Sequence, residues 1–262
     1  MRMIKKKSLG QHFLNSPKII SDIVSAGKVG ANDVVVEIGP GEGTLTSALL
    51  KTGARIMAVE KDDRLIPFLQ EKFENEISSG KLILIHTDIL LCDVEKIIRG
   101  PYKLVANIPY YITGQIIRMF LESKNQPKLM TLLVQKEVAE RIVAGNKKES
   151  LLSLSVKIYG EPKLVRAVGR GAFSPQPNVD SAVLNIENIS RKKLEGVEDK
   201  KFFEMIHAGF AHKRKQLLPN LGDLYKKEDL ISAFEKCGLD PKSRAEDVSL
   251  ETWIKFCNTI LR

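Results

Sequence analysis

The sequence predicts an α/β fold, a mostly parallel sheet flanked by helices, followed by a small all-α domain. Three observations predict it. Val34–Ile38 is an apolar, β-branched run that passes into a glycine turn, Gly39-Pro40-Gly41-Glu42-Gly43, and then into a helical apolar pattern. Strand and helix patterns alternate from there to about Tyr110. Beyond about Ser190 the strands stop and short amphipathic helices take over.

Taken in order, Lys5–Leu14 is a basic, glycine-punctuated loop, and Ser16-Pro17 opens the first helix as N-cap and first helical residue. Ile19, Ile20, Ile23 and Val24 form its apolar face, and Gly27 ends it. Gln11, His12 and Leu14 are then free to meet a ligand, although on spacing alone His12 reads better as a surface histidine. In the turn after the first strand, glycines let a ligand touch backbone with no Cβ between. A dinucleotide fingerprint would need a small residue where Thr44 stands, and no Walker-type lysine follows. Glu37 and Glu42 favour a ligand carrying positive charge, which S-adenosylmethionine does; a tight turn without a ligand is the bland alternative.

Leu45, Leu49 and Leu50 mark a helix, and Arg55–Val59 is a second strand ending at Glu60. A carboxylate about twenty residues after the turn, at the end of the second strand, can accept both ribose hydroxyls. A helix over Leu65–Ile77 leads to a third strand, Leu82–Ile85, and to Asp88, placed to accept from the exocyclic amine of an adenine. The fourth strand, Tyr102–Ala106, runs into Asn107-Ile108-Pro109-Tyr110. The amine nitrogen of adenine is a poor nucleophile because its lone pair is delocalised into the ring. Two acceptors, the Asn107 side-chain oxygen and the Ile108 carbonyl, can hold its hydrogens and turn the lone pair towards a methyl donor. Pro109 fixes the turn and Tyr110 offers a flat face to an unstacked base. No general base is required, since the nitrogen becomes acidic once alkylated, and positioning carries the catalysis. Late strands are expected at Leu164–Val168 and Ala182–Ile186, joined by a loop that Pro175 and Pro177 stiffen.

With 262 residues the chain can bury a substantial core, and a hydrophobic content of 43% is that of an ordinary soluble protein. No apolar run approaches the ~20 residues of a membrane span, and no apolar segment follows the basic N-terminus as a secretory leader requires. Cys92, Cys237 and Cys257 are widely spaced, which suggests reduced thiols, a cytoplasmic setting and no metal. The net charge of +9 favours a polyanionic partner. Clustering of the charge at Arg2 and Lys5–Lys7, Lys147-Lys148, Arg191–Lys193 and Lys213–Lys215 favours nucleic acid over solubility alone.

The run SLGQHFL at Ser8–Leu14, EIGPGEGTLT at Glu37–Thr46, Val59-Glu60, TDIL at Thr87–Leu90 and the Asn107–Tyr110 tetrapeptide resemble the successive motifs of the ribosomal RNA adenine N6-dimethyltransferases. So do QKEV at Gln135–Val138, FSPQPNVDS at Phe173–Ser181, FAHKRK at Phe210–Lys215 and RAEDVS at Arg244–Ser249, so the resemblance covers nearly the whole chain. It implies a Rossmann-like class I S-adenosylmethionine-dependent methyltransferase that dimethylates two adjacent adenosines near the 3′ end of small-subunit rRNA. By position, it implies that His12, Leu14, Gly39, Glu60, Asp88 and Asn107 contact S-adenosylmethionine, with Gln11 and Gly41 beside it, while Tyr110 and Phe173 bracket the target base. Many relatives carry asparagine where this chain has His12, which changes the donor and acceptor options there. The expected division is a catalytic domain over 1–190 and a helical RNA- and ribosome-binding domain over 191–262. The expected partner is rRNA in the immature small subunit, met by a monomer. The rivals are the erythromycin-resistance methyltransferases of large-subunit rRNA, against which the Phe173–Ser181 and Arg244–Ser249 motifs argue, and a mainly non-catalytic assembly factor.

Overall fold

The computed structural model describes residues 12–144 and 148–261. Arg2, Lys5–Lys7, Gln11 and Lys147, named above, lie outside them. The chain forms two compact units, one of residues 1–139 and 161–189, the other of 140–160 and 190–262. A division at residue 190 alone leaves 140–160 with the sheet; the packing instead groups this stretch with the C-terminal helices.

The first unit runs β1 (Phe13–Leu14), α1 (Pro17–Ala26), β2 (Val34–Ile38), α2 (Thr44–Leu50), β3 (Arg55–Glu60), α3 (Leu65–Lys72), α4 (Glu74–Ser78), β4 (Leu82–His86), α5 (Val94–Ile97), β5 (Lys103–Asn107), α6 (Thr113–Glu122), β6 (Met130–Gln135), and, after the excursion into the second unit, β7 (Glu161–Val168), β8 (Phe173–Ser174) and β9 (Ser181–Glu187). The main sheet has seven strands in the order β4-β3-β2-β5-β6-β9-β7. From β4 to β6 the strands are parallel, and β9 is antiparallel to both of its neighbours. The central strands read as continuous apolar runs because helices cover both faces: Val35, Val36, Ile56, Leu104, Val105, Leu132 and Leu133 are all buried. The chain moves outward from β2 to β3 and β4, then starts again on the other side at β5, so strand order reverses between β2 and β5. Ligands of such sheets bind at the carboxyl ends of the strands beside that reversal.

Several local expectations change. Ser16 holds the extended N-cap conformation before Pro17, but its side chain makes no capping bond. Gly27 ends α1 with a right-handed φ of −68°, so its use is space: a Cβ there would lie 3.1 Å from Val29 and 3.2 Å from Val105. The single helix expected over Leu65–Ile77 is two, broken at Phe73 (φ −120°, ψ 29°), whose ring is buried against Gly43. Phe13-Leu14 is a strand rather than loop: it pairs antiparallel with Phe173-Ser174, Phe13 opposite Ser174 and Leu14 opposite Phe173. Each short run has too few residues to show a strand period, and each depends on the other across the length of the unit.

The second unit holds α7 from Glu140 onward (helix Lys136–Val143), α8 (Leu151–Lys157), α9 (Asp199–Gly209), α10 (Leu217–Leu221), α11 (Lys227–Cys237) and α12 (Leu250–Ile260). Ser150 and Ser153 cap α8 reciprocally, and Ser249 caps α12 through the Thr252 N–H. Its core is aromatic: Phe202, Phe234, Trp253 and Phe256 are buried, Phe210 stacks on Trp253 at 6.2 Å, and Phe234 meets Phe256 edge-on at 5.4 Å. Among the basic clusters, Lys213, Arg214 and Lys215 are exposed. Arg191 instead pairs with Asp199 and lies over the Tyr159 ring, while Lys193 donates to the Lys157 carbonyl.

Candidate active site

At the carboxyl edge of β2, β3 and β5 lies a cavity of about 350 Å³. The parallel register brings its wall together: Ile38 is opposite Val59, so the glycine turn after β2 and Glu60 at the end of β3 emerge side by side, with Asn107 at the end of β5 across the reversal point. Gly39, Gly41 and Gly43 have φ of +66°, +60° and +74°, so the turn needs residues without a Cβ. Contact adds to this. A Cβ on Gly41 would sit 2.9 Å from the Phe13 ring, and one on Gly43 2.5 Å from the Phe73 ring.

Glu60 is 5% exposed and is held by backbone: Oε1 accepts from the N–H groups of Lys61 (2.9 Å) and Asp62 (2.8 Å), and Oε2 from that of Gly41 (3.2 Å). Burial raises its pKa, and these three donors oppose the rise. Its carboxylate thus faces the cavity with lone pairs to spare and ties β3 to the glycine turn. Glu37 lies deeper, 1% exposed, and its Oε2 has no hydrogen-bond partner. Burial pushes its pKa up to about 8, with the nearby Glu60 adding to the shift. Thr46 is near enough to oppose that shift, but its hydroxyl is not in hydrogen-bonding geometry.

On the other wall, Asn107 Nδ2 donates to the His12 carbonyl at 3.1 Å. A carbonyl only accepts, so the amide orientation is fixed and Asn107 Oδ1 is left as the acceptor at the cavity. Ile108 and Pro109 line the wall beside it, and Ile108 is 2% exposed. His12 Nδ1 lies 2.8 Å from the Pro175 carbonyl and its ring stacks on Tyr110 at 5.9 Å. The Tyr110 hydroxyl is 2.6 Å from Ser181 Oγ, and burial raises its pKa.

The fold therefore brings His12, Leu14, Gly39, Gly41, Glu60, Asn107, Ile108, Pro109 and Tyr110 to one cavity. Two other candidates stand apart, and Gln11 is outside the described residues. Asp88 does not line the cavity: Oδ1 accepts from the Leu90 N–H at 3.0 Å and Oδ2 pairs with Lys61 at 2.6 Å, which lowers its pKa. Lys61 does line it, with 59% of its side chain exposed, so the pair is open to exchange. Phe173 is 5% exposed within the apolar cluster that includes Leu14, so its ring presents no face to a base in this arrangement. Pairing with β1 turns it inward. Sequence reasoning passed over Phe13, Lys61 and Tyr111, which also line the cavity. Tyr111 carried a signal, an aromatic doublet directly after Pro109.

The model of the family described as ribosomal RNA adenine dimethylase matches residues 2–261. A protein of Dehalococcoides mccartyi called ribosomal RNA small subunit methyltransferase A is 45% identical over 256 residues, 96% of this chain and 87% of that one. One of the same name from Clostridium botulinum is 38% identical over 259 residues, 97% and 93% of the two chains. Among solved structures, a dimethyladenosine transferase from Plasmodium falciparum is similar with a TM-score of 0.79 at 23% identity, covering 94% of this chain and 96% of that one. The 23S rRNA methyltransferase ErmE is similar with a TM-score of 0.76 at 24% identity, covering 95% and 100%. These two similarities bear on the fold.

Proposed function

This chain belongs to the ribosomal RNA adenine dimethylase family, and from that premise we propose how its cavity performs the family's reaction. The protein is an S-adenosylmethionine-dependent enzyme that dimethylates adenine in small-subunit rRNA. S-adenosylmethionine supplies a methyl group made electrophilic by the sulfonium to which it is bonded. The cavity suits such a ligand because two carboxyl groups are buried beside a glycine turn, one of them with an unpartnered oxygen. Glu60 keeps lone pairs for two ribose hydroxyls, and Gly39 and Gly41 leave their backbone open to close approach. Glu37 answers a cationic group, whose arrival would draw its pKa down. Asp88 would accept from the cofactor's adenine amine once Lys61 releases it.

The observation that carries the catalytic assignment is the orientation of Asn107. With Nδ2 committed to His12, Oδ1 and the Ile108 carbonyl form a pair of acceptors for the target amine. They would hold its two hydrogens in the first transfer and the remaining one in the second, leaving the lone pair free for the methyl group. As the N–C bond forms the S–C bond breaks, the sulfonium leaves as a neutral thioether, and the alkylated nitrogen gives its proton to water. Tyr110, braced on one face by His12 and at its hydroxyl by Ser181, supports the base. The targets are two adjacent adenosines near the 3′ end of the rRNA, reached in the immature subunit by a monomer in the cytoplasm. The first unit does the chemistry and the second, with Lys213–Lys215, binds RNA backbone.

The test is methyl transfer from labelled S-adenosylmethionine to undermodified small and large subunits, with nucleoside analysis. N6,N6-dimethyladenosine in the small subunit only is expected, and label confined to the large subunit overturns the assignment. Asn107→Ala should abolish transfer while subunit binding persists; full transfer by that variant would remove Asn107 from the mechanism.

A further inference from the structure

The short turn Tyr110–Ile112 places two consecutive tyrosines in opposite environments. Tyr110 is braced as described. Tyr111 lines the same cavity yet is 65% exposed, and among the described residues its side chain makes no hydrogen bond and no ring contact, with the Lys61 ammonium near enough to interact electrostatically. Exposed apolar side chains scattered singly are ordinary. Tyr111 differs by position: it lines the cavity that also holds Asn107 and Tyr110 while most of its surface is open to solvent.

Drawing one base out of a strand also strips its neighbour of a stacking partner, which costs free energy. An exposed ring at the mouth can replace that lost stack, whichever base arrives, since every base has a π-face. Resting on the adenine-methyltransferase reading above, we propose that Tyr111 is a stacking platform for the nucleotide next to the target adenosine. Tyr110 then supports the reacting base and Tyr111 its neighbour. Because purines stack more strongly than pyrimidines, the platform favours a purine neighbour without any hydrogen bond to its edge. Strand polarity fixes whether that neighbour lies 5′ or 3′ of the target, so of two adjacent adenosines the platform serves the one whose partner falls on its side.

The test uses small subunits reconstituted with transcribed rRNA in which one target adenosine remains and its neighbour is guanosine or cytidine. Wild-type enzyme should prefer the purine neighbour. Tyr111→Ala should lose about tenfold in kcat/KM on the guanosine substrate and lose the preference, while Tyr111→Phe keeps both. S-adenosylmethionine affinity, measured by calorimetry, should be the same for all three proteins. The proposal is overturned if Tyr111→Ala retains the purine preference, or if its cofactor affinity falls in step with its rate. Failure of the wild type to methylate natural undermodified subunits would refute the underlying reading instead, and the platform with it.

Discussion

Replacing Glu37 by glutamine should change how stability depends on pH, in a direction the burial of the carboxyl dictates. In the folded protein without ligand, burial pushes its pKa up to about 8, against an ordinary value of 4.5. Between those values the unfolded chain has lost the Glu37 proton and the folded chain retains it. Each unit of rising pH therefore favours the unfolded state by ~1.4 kcal/mol, and the effect levels off once both states are ionised above pH 8. Across the whole interval the loss reaches on the order of 5 kcal/mol, an upper bound because water entering the cavity would solvate the charge. The surroundings offer little relief: Glu60 is a second carboxyl, Thr46 is not bonded to it, and Lys72, the nearby cation, donates to the Glu42 carbonyl at 2.7 Å. Glu37→Gln keeps the shape and removes the titration. Urea unfolding of both proteins at intervals from pH 4.5 to 9, without cofactor, isolates the contribution as the difference between the two curves. The wild type should lose stability relative to the variant as pH rises. Parallel curves would show that the carboxyl is solvated or paired in solution and would sink the reasoning.

Two further changes probe the packing behind the cavity. Gly43→Ala places a Cβ 2.5 Å from the Phe73 ring at a φ of +74°, and should cost roughly 2–5 kcal/mol; an unchanged thermal midpoint would mean that the turn and ring relax freely. Phe173→Ala should destabilise by about 3–5 kcal/mol, since the ring is buried in the core. If that variant kept its thermal midpoint but lost rRNA methylation, Phe173 would be acting on the substrate from a conformation other than this one.

The sheet edge that carries the cavity was legible because its signals are local. Gly39, Glu60 and Asn107 each stand at the end of a strand whose apolar run marks its own limit, and a parallel sheet brings such ends together without further information. Phe173 was not legible in the same way: its burial follows from pairing with Phe13-Leu14, some 160 residues earlier, and no local pattern encodes that partner. The break at Phe73 is likewise a tertiary event, fixed by the space over Gly43 rather than by helix propensity. Residues 140–160 carry ordinary helical patterns, so sequence alone did not say which unit they join. Tyr111 was passed over because exposure is what distinguishes it from Tyr110, and exposure is a property of the folded chain.

The strand order also has a consequence for synthesis. β9 lies between β6 and β7, so a chain emerging from its N-terminus presents β6 as an unpaired apolar edge until residue 187 is available. At ~5–20 residues per second, the interval from Gln135 to Glu187 lasts roughly 3–10 s. The β1–β8 pairing that seats Phe13 over the glycine turn waits almost as long, for Ser174. Neither the sheet nor the cavity can therefore close while the first half of the chain is being made, and an enzyme that modifies ribosomal RNA acquires its working site late in its own translation.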